Sequence, residues 1–121
     1  MNHKGKSIRP FIGAKDFEIS RAFYRDLGFE ENVISHNMSV FHSGALSFYL
    51  QDYYLKDWVD NTMVFMEVDD TERFYKELVA LNLPSKYENV KVVPVRTMDW
   101  GKECFVHDPS GILWHFGEFF N

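Results

Sequence analysis

The chain has 121 residues, 45% of them hydrophobic, which is enough for one compact core and too few for two ordinary domains. Its net charge of -5 and its lack of clustered Lys and Arg argue against a nucleic-acid partner, because affinity for a phosphate backbone is built from such clusters. No apolar stretch approaches the roughly 20 residues that span a bilayer, and Met1 to Pro10 has basic residues with no apolar run behind them, so no membrane contact, secretory signal or anchor is expected.

Aromatic residues make up 17% of the chain, with twelve Phe and six Tyr, more than a core of this size needs for packing alone. Some of these rings are expected to line a cavity or a subunit interface. The single cysteine, Cys104, cannot form an internal disulfide, which agrees with a reducing, cytoplasmic location. It sits between Glu103 and Phe105-Val106 in a strand-like run and reads as a small buried hydrophobe rather than a nucleophile.

Along the chain, the apolar run Phe11 to Ala14 closes on Asp16. Ile19, Phe23 and Leu27 then recur at i, i+4 and i+8 on one helical face, with Asp16 placed to cap the start and Gly28 to end the helix in a left-handed conformation. Period two takes over in Glu30 to Ser35, Met38 to His42 and Ala45 to Leu50, read as strands with a turn at Ser43-Gly44. The connecting segment 51–61 holds Tyr53, Tyr54 and Trp58 and is too aromatic for a free linker.

A second apolar run, Val64 to Val68, closes on Asp69. Phe74, Leu78 and Leu81 share the face of a second helix, with Asp69 and Glu72 resembling a capping box and Asn82 as the stop. Lys91 to Val95, Glu103 to His107 and Ile112 to Glu118 read as strands, the last two joined by the turn Asp108-Pro109-Ser110-Gly111. Repetition ties the halves together: Phe23-Tyr24-Arg25-Asp26-Leu27 recurs 51 residues later as Phe74-Tyr75-Lys76-Glu77-Leu78. Each half is β-α-β-β-β, so the expectation is a single α+β domain over 1–121, made of module 8–50 and module 62–118 joined by 51–61.

The motifs in this order resemble the vicinal oxygen chelate superfamily, which includes glyoxalase I, extradiol dioxygenases, and fosfomycin- and bleomycin-resistance proteins. Phe23-Tyr24 with Leu27-Gly28-Phe29 looks like its first-helix signature, Val68-Asp69 like the opening of its second module, and Asp108-Pro109-Ser110-Gly111 like its late turn. Bleomycin-resistance proteins are the nearest likeness, carried by Asp60-Asn61-Thr62 leading into Glu67-Val68 and by Glu103 to Asp108 leading into Trp114-His115-Phe116. The resemblance implies curved mixed sheets around a cleft, and a homodimer that sequesters a small molecule between subunits without catalysis.

Enzymes of the superfamily hold a divalent metal from four strand positions facing the cleft. Carried over by motif, those positions fall at Arg9, Tyr49 (with Ser47 as the alternative), Met63 and His115. Only His115 is an ordinary ligand, since a guanidinium cannot coordinate a cation and a thioether is a poor partner for hard or borderline ions. The expectation is therefore no metal and no cofactor. His36, His42, His107 and Glu67 are the residues from which a different metal centre would have to be assembled, and no pair of them has a ligand spacing.

Alternation along strands assigns the faces. With His115 toward the cleft go Leu113 and Gly117, leaving Ile112, Trp114 and Phe116 for the helix side; Arg9, Phe11, Gly13, Ser47, Tyr49, Met63, Phe65 and Glu67 complete the wall. Phe11, Tyr49 and Phe65 would stack on a flat or bulky ligand, Glu67 would pair with a cationic group, and His115 would hydrogen-bond. Arg9 would either bind an anionic group or pair with Glu67. Trp58 and Trp100, read as loop residues, are candidates for the cleft rim or a dimer contact. Two other classes stay open: an enzyme, either a metal-dependent lyase or dioxygenase or an isomerase using His115 or Glu67 as a base, and a dimerisation module with no small ligand.

Overall fold

The computed structural model describes all 121 residues. The N-terminal module runs β1 (Phe11–Gly13), α1 (Phe17–Asp26), β2 (Glu30–Ser35), β3 (Met38–Ser43) and β4 (Leu46–Gln51). A short helix, α2 (Lys56–Asp60), leads to the second module: β5 (Met63–Glu67), α3 (Thr71–Leu81), α4 (Leu83–Lys86), β6 (Lys91–Thr97), β7 (Gly101–His107) and β8 (Leu113–Phe119). The sheets share one topology, β1-β4-β3-β2 and β5-β8-β7-β6, each with a single parallel pair at the β1 or β5 edge. The α+β fold and its internal repeat are as the sequence predicts.

Both helix starts are capped by a carboxylate. Asp16 accepts from the Ile19 N–H at 3.2 Å, and Gly28 follows the helix with φ of 109°. In the second module the cap is Asp70, one residue later than expected: it accepts from the Arg73 N–H at 3.1 Å, so Asp69 and Glu72 form no capping box. Asn82 does end α3, with a left-handed φ of 54°. The face of α1 is also rotated from its expected position. Ile19 is exposed while Ser20 is buried against Ser110, so a hydroxyl occupies a place that apolar periodicity gives to a hydrophobe.

Three further differences are local. Segment 51–61 contains α2, whose Val59 is fully buried, so Trp58 lies on a helix rather than a loop. Helix α4 is not visible in the periodicity because it is a single turn opened by Pro84. Strand β6 continues past Val95 to Thr97, with the pairing register shifting between Val93 and Arg96 around Pro94, a residue tolerated because β6 is an edge strand.

The inner faces of the two sheets meet around Tyr24. Its ring touches Phe41, Phe48 and Phe29 of the first module and Trp114 of the second. Its hydroxyl donates to Asp108 at 2.6 Å and accepts from the Trp114 indole N–H at 2.9 Å. The other Asp108 oxygen accepts from the backbone N–H groups of Ser110, Gly111 and Ile112, which forms the late turn. Burial pushes the Asp108 carboxyl up, against the hydrogen bonds from Tyr24 and the turn, and burial beside Asp108 pushes the Tyr24 phenol well up, so Tyr24 keeps its proton. Cys104 is buried, and burial raises its thiol to about 11, too high for a resting nucleophile.

A second buried carboxylate braces the first module. Glu31 on β2 is reached by Arg21 and Arg25 from α1 and by the Ser39 hydroxyl from β3. Burial alone would raise its pKa, but the hydrogen bonds from Arg21, Ser39 and Arg25 outweigh it and bring the carboxyl down to about 2.

Two outcomes follow from these networks. Replacing Tyr24 by Phe strands the Trp114 N–H and one Asp108 oxygen in the core, and urea unfolding should show a loss of about 1–3 kcal/mol. Glu31 has a folded pKa below its ordinary 4.5, so its contribution to stability is present above pH 4.5 and is lost as pH falls towards about 2. Urea midpoints measured across that window should fall with acidification in the wild type, and less steeply in Glu31→Gln.

Candidate functional site

Alternation leaves each sheet an outer face that the helices do not cover. On the N-terminal sheet, Phe11 pairs in register with Tyr49, and their rings stack at 4.7 Å and 21°. The Arg9 guanidinium lies 5.8 Å over the Tyr49 ring and donates to its hydroxyl at 3.2 Å. Arg9 makes no ion pair with Glu67, so that expected pairing is replaced by the contact with Tyr49. The next position along β1 is Gly13, where a Cβ would lie 2.5 Å from both the Trp58 ring and the Tyr53 carbonyl. Trp58 therefore covers the end of this row from within the chain, packed beside Tyr53 at 6.0 Å.

On the C-terminal sheet, the same parity brings Met63, Phe65 and Glu67 of β5 beside Leu113, His115 and Gly117 of β8. Ile112, Trp114 and Phe116 go to the core, as predicted. Gly117 is closely covered: the Phe65 ring lies 3.0 Å from where its Cβ would be, so a side chain there would require the ring to shift. Phe65, Trp100 and Phe119 form a three-ring cluster with centroids 5.3–6.0 Å apart, which gives Trp100 a partner in its own chain. Met63 is 65% exposed and Phe65 44%, so this face is apolar, aromatic and uncovered.

His115 occupies the middle of that face. Its ring meets Phe105 edge-on at 4.9 Å and Phe65 at 6.5 Å, and its Nδ1 lies 2.8 Å from Glu103 Oε1. Glu103 is the residue that sequence reasoning missed. It is one of the few buried charged side chains, and the signal that could have found it was its parity with Phe105 and His107, on the same face as His115.

The sequence-predicted residues are thus gathered into two groups on different sheets: Arg9, Phe11 and Tyr49 with Trp58 at the end of the row, and Met63, Phe65, Glu67 and His115 with Trp100 at the margin. A cavity of about 520 Å³ lies where the start of β4 faces the β5 edge, lined by Ile8, Ser47, Phe48, Phe65, Glu67 and Trp114 among others. A larger groove of about 700 Å³ lies on the helix side, between α1 and the segment after α4; its lining is charged and carries none of the stacked rings.

The four positions where the superfamily places metal ligands hold a guanidinium already bonded to a phenol, a thioether and an imidazole already engaged with Glu103. Nowhere do three His, Cys, Asp or Glu side chains converge. This donor set does not fit a divalent ion.

Paired βαβββ modules of identical strand order, each with an open sheet face, define the class. Residues 7–116 match the Glyoxalase/Bleomycin resistance protein/Dioxygenase superfamily, and the chain belongs to it. Among solved structures it is similar to the bleomycin resistance determinant encoded on transposon Tn5 (19% identity, 95% of this chain and 98% of that one, TM-score 0.80). It is also similar to the bleomycin-binding protein of Streptomyces verticillus solved with copper(II)-bleomycin (22%, 95% and 97%, 0.79), and to lactoylglutathione lyase from Agrobacterium tumefaciens (16%, 96% and 96%, 0.69). At these identities the likeness establishes the fold and nothing finer. No curated protein matches the sequence, and no helix is long and apolar enough to cross a membrane.

The fit of Trp58 over Gly13 can be tested directly. Gly13→Ala puts a methyl into the indole and the Tyr53 carbonyl, and should cost about 1–3 kcal/mol in urea unfolding and change tryptophan emission.

Proposed function

We propose that this protein binds and sequesters a small, flat molecule, aromatic or cationic, in a cleft completed by a second copy of the chain, and that it does so without a metal or cofactor and without catalysis. The observation that carries this reading is the pair of uncovered aromatic faces, Phe11 with Tyr49 on one sheet and Phe65 with Met63 on the other, each holding a few polar anchors. Apolar walls with sparse polar groups are the usual composition of a small-molecule site.

Neither face is closed by its own chain, and exposed aromatic surface of this kind is what a subunit interface covers. Apposing the N-terminal face of one protomer with the C-terminal face of another encloses a ligand between stacking rings, with Glu67 set to meet a cationic group and Arg9 held against Tyr49 at the rim. Trp100 borders the cleft, and Trp58 closes the end of the Phe11 row over Gly13. The bleomycin-binding neighbours support this choice over a lyase, and the unfitting donor set supports the metal-free part. A cytoplasmic location agrees with a single buried thiol.

A thermal-shift screen with aromatic cations should raise the melting temperature of the wild type, and Phe65→Ala or Glu67→Gln should lose most of that shift. Sedimentation should give a dimer. A monomer, the absence of any response to aromatic cations, or a stoichiometric divalent ion lost on His115→Ala would each refute the corresponding part of the reading.

A further inference from the structure

We infer that Glu103 and His115 form a dyad that makes Nε2 of His115 a hydrogen-bond acceptor on the open face, so that the bound molecule is a planar aromatic bearing an N–H or O–H donor. This rests on reading the C-terminal face as a binding surface, and it adds the ligand's polarity at one point.

The inference starts from the carboxylate. The Glu103 side chain is 8% exposed, and an ionised carboxylate only accepts hydrogen bonds, so at 2.8 Å the proton belongs on Nδ1 of His115. Arg96 stands opposite Glu103 across the β6–β7 pair and lies 5.8 Å over the Phe105 ring. A neutral imidazole with its proton on Nδ1 has its lone pair on Nε2. No other hydrogen bond to His115 is present, so Nε2 is the uncommitted nitrogen.

Packing restricts the ring that carries that nitrogen. Phe105 meets the ring edge-on and Phe65 lies at 35° to it, which limits its rotation, while 22% of the side chain stays exposed on the same face as the open Phe65 ring. The His115 ring lies 6.5 Å from Phe65, so a planar molecule stacked on Phe65 brings its edge beside the imidazole, where a donor on that edge meets the in-plane lone pair. An acceptor there would face a lone pair instead, which selects against it.

The test uses full-length protein labelled with 15N-histidine, with the His115 signals assigned by their loss in His115→Gln. Long-range 1H–15N spectra at alkaline pH should show a protonated Nδ1 and a bare Nε2. In Glu103→Gln, whose amide both donates and accepts, that preference should weaken. Indole and 1-methylindole, which replaces the N–H by an N-methyl, serve as probes: indole should move the Nε2 resonance and bind roughly fivefold to tenfold more tightly, and the preference should shrink in Glu103→Gln, which leaves the steric effect of the methyl unchanged. A protonated Nε2 in the wild type, or equal affinity for the two probes, overturns the inference. The expected tautomer with neither probe bound overturns the assignment of the ligand, while the thermal-shift response to aromatic cations decides the proposed binding function separately.

Discussion

Tyr24 donates to Asp108 and accepts from Trp114 at the one place where a helix of the first module, a strand of the second and the late turn come together. This bridge is the buried centre of the contact between the modules. The residues joined are 84 and 90 positions apart, so the bond carries no local benefit and stabilises only the assembled pair. Its geometry also demands completeness: all three groups are buried, and a missing partner leaves a polar atom in an aromatic core, which costs more than the bond contributes when intact. Tyr87 adds a second clasp between modules, its hydroxyl on Asp26 and its ring edge-on to Phe23.

By drawing the helix-covered faces together, the bridge decides what is left outside. Phe48 and Trp114 meet at 5.2 Å in the interior, so the alternating residues Tyr49 and His115 face away from it. Each module repeats the same device at the edge of its open face: a glycine whose missing side chain is replaced by a ring from elsewhere, Trp58 over Gly13 and Phe65 over Gly117. These rings hold a flat apolar floor without a protruding Cβ, which a stacking surface requires.

The repeat, the helices and the strand faces were legible in the sequence because each is written in a period that physics enforces along the chain. The pentapeptide beginning at Phe23 and its echo at Phe74 located both helices, and the parity of Trp114 and Phe116 divided β8 correctly. What escaped was whatever depends on long-range polar contacts. Ser20 looked unsuited to a core position until Ser110 is seen to reach it. Asp69 and Asp70 are equally good caps on paper, and only the path of the chain chooses between them. Glu103 could be placed on the His115 face by its parity with Phe105 and His107, but its pairing with His115 depends on the β7–β8 register, which periodicity does not report.

The decoupling of the two strand faces also explains how one scaffold accommodates unrelated chemistry. Residues at even and odd positions of β5 and β8 answer to different demands: Trp114 and Phe116 are fixed by close packing, while Met63 and Glu67 are exposed and His115 is half-buried. A substitution on the outer face leaves the inner one undisturbed, so an ion-binding set can be replaced by a thioether, a guanidinium and a paired imidazole at little cost to folding. The core that defines the superfamily is thereby set apart from most of the groups that would choose a ligand, with Phe48 and Trp114 reaching the cavity beside Phe65 and Glu67 as the exceptions. The identity of the chemistry must therefore be sought in the outer residues and their partners, of which Glu103 is the most informative, because its hydrogen bond constrains how His115 presents itself.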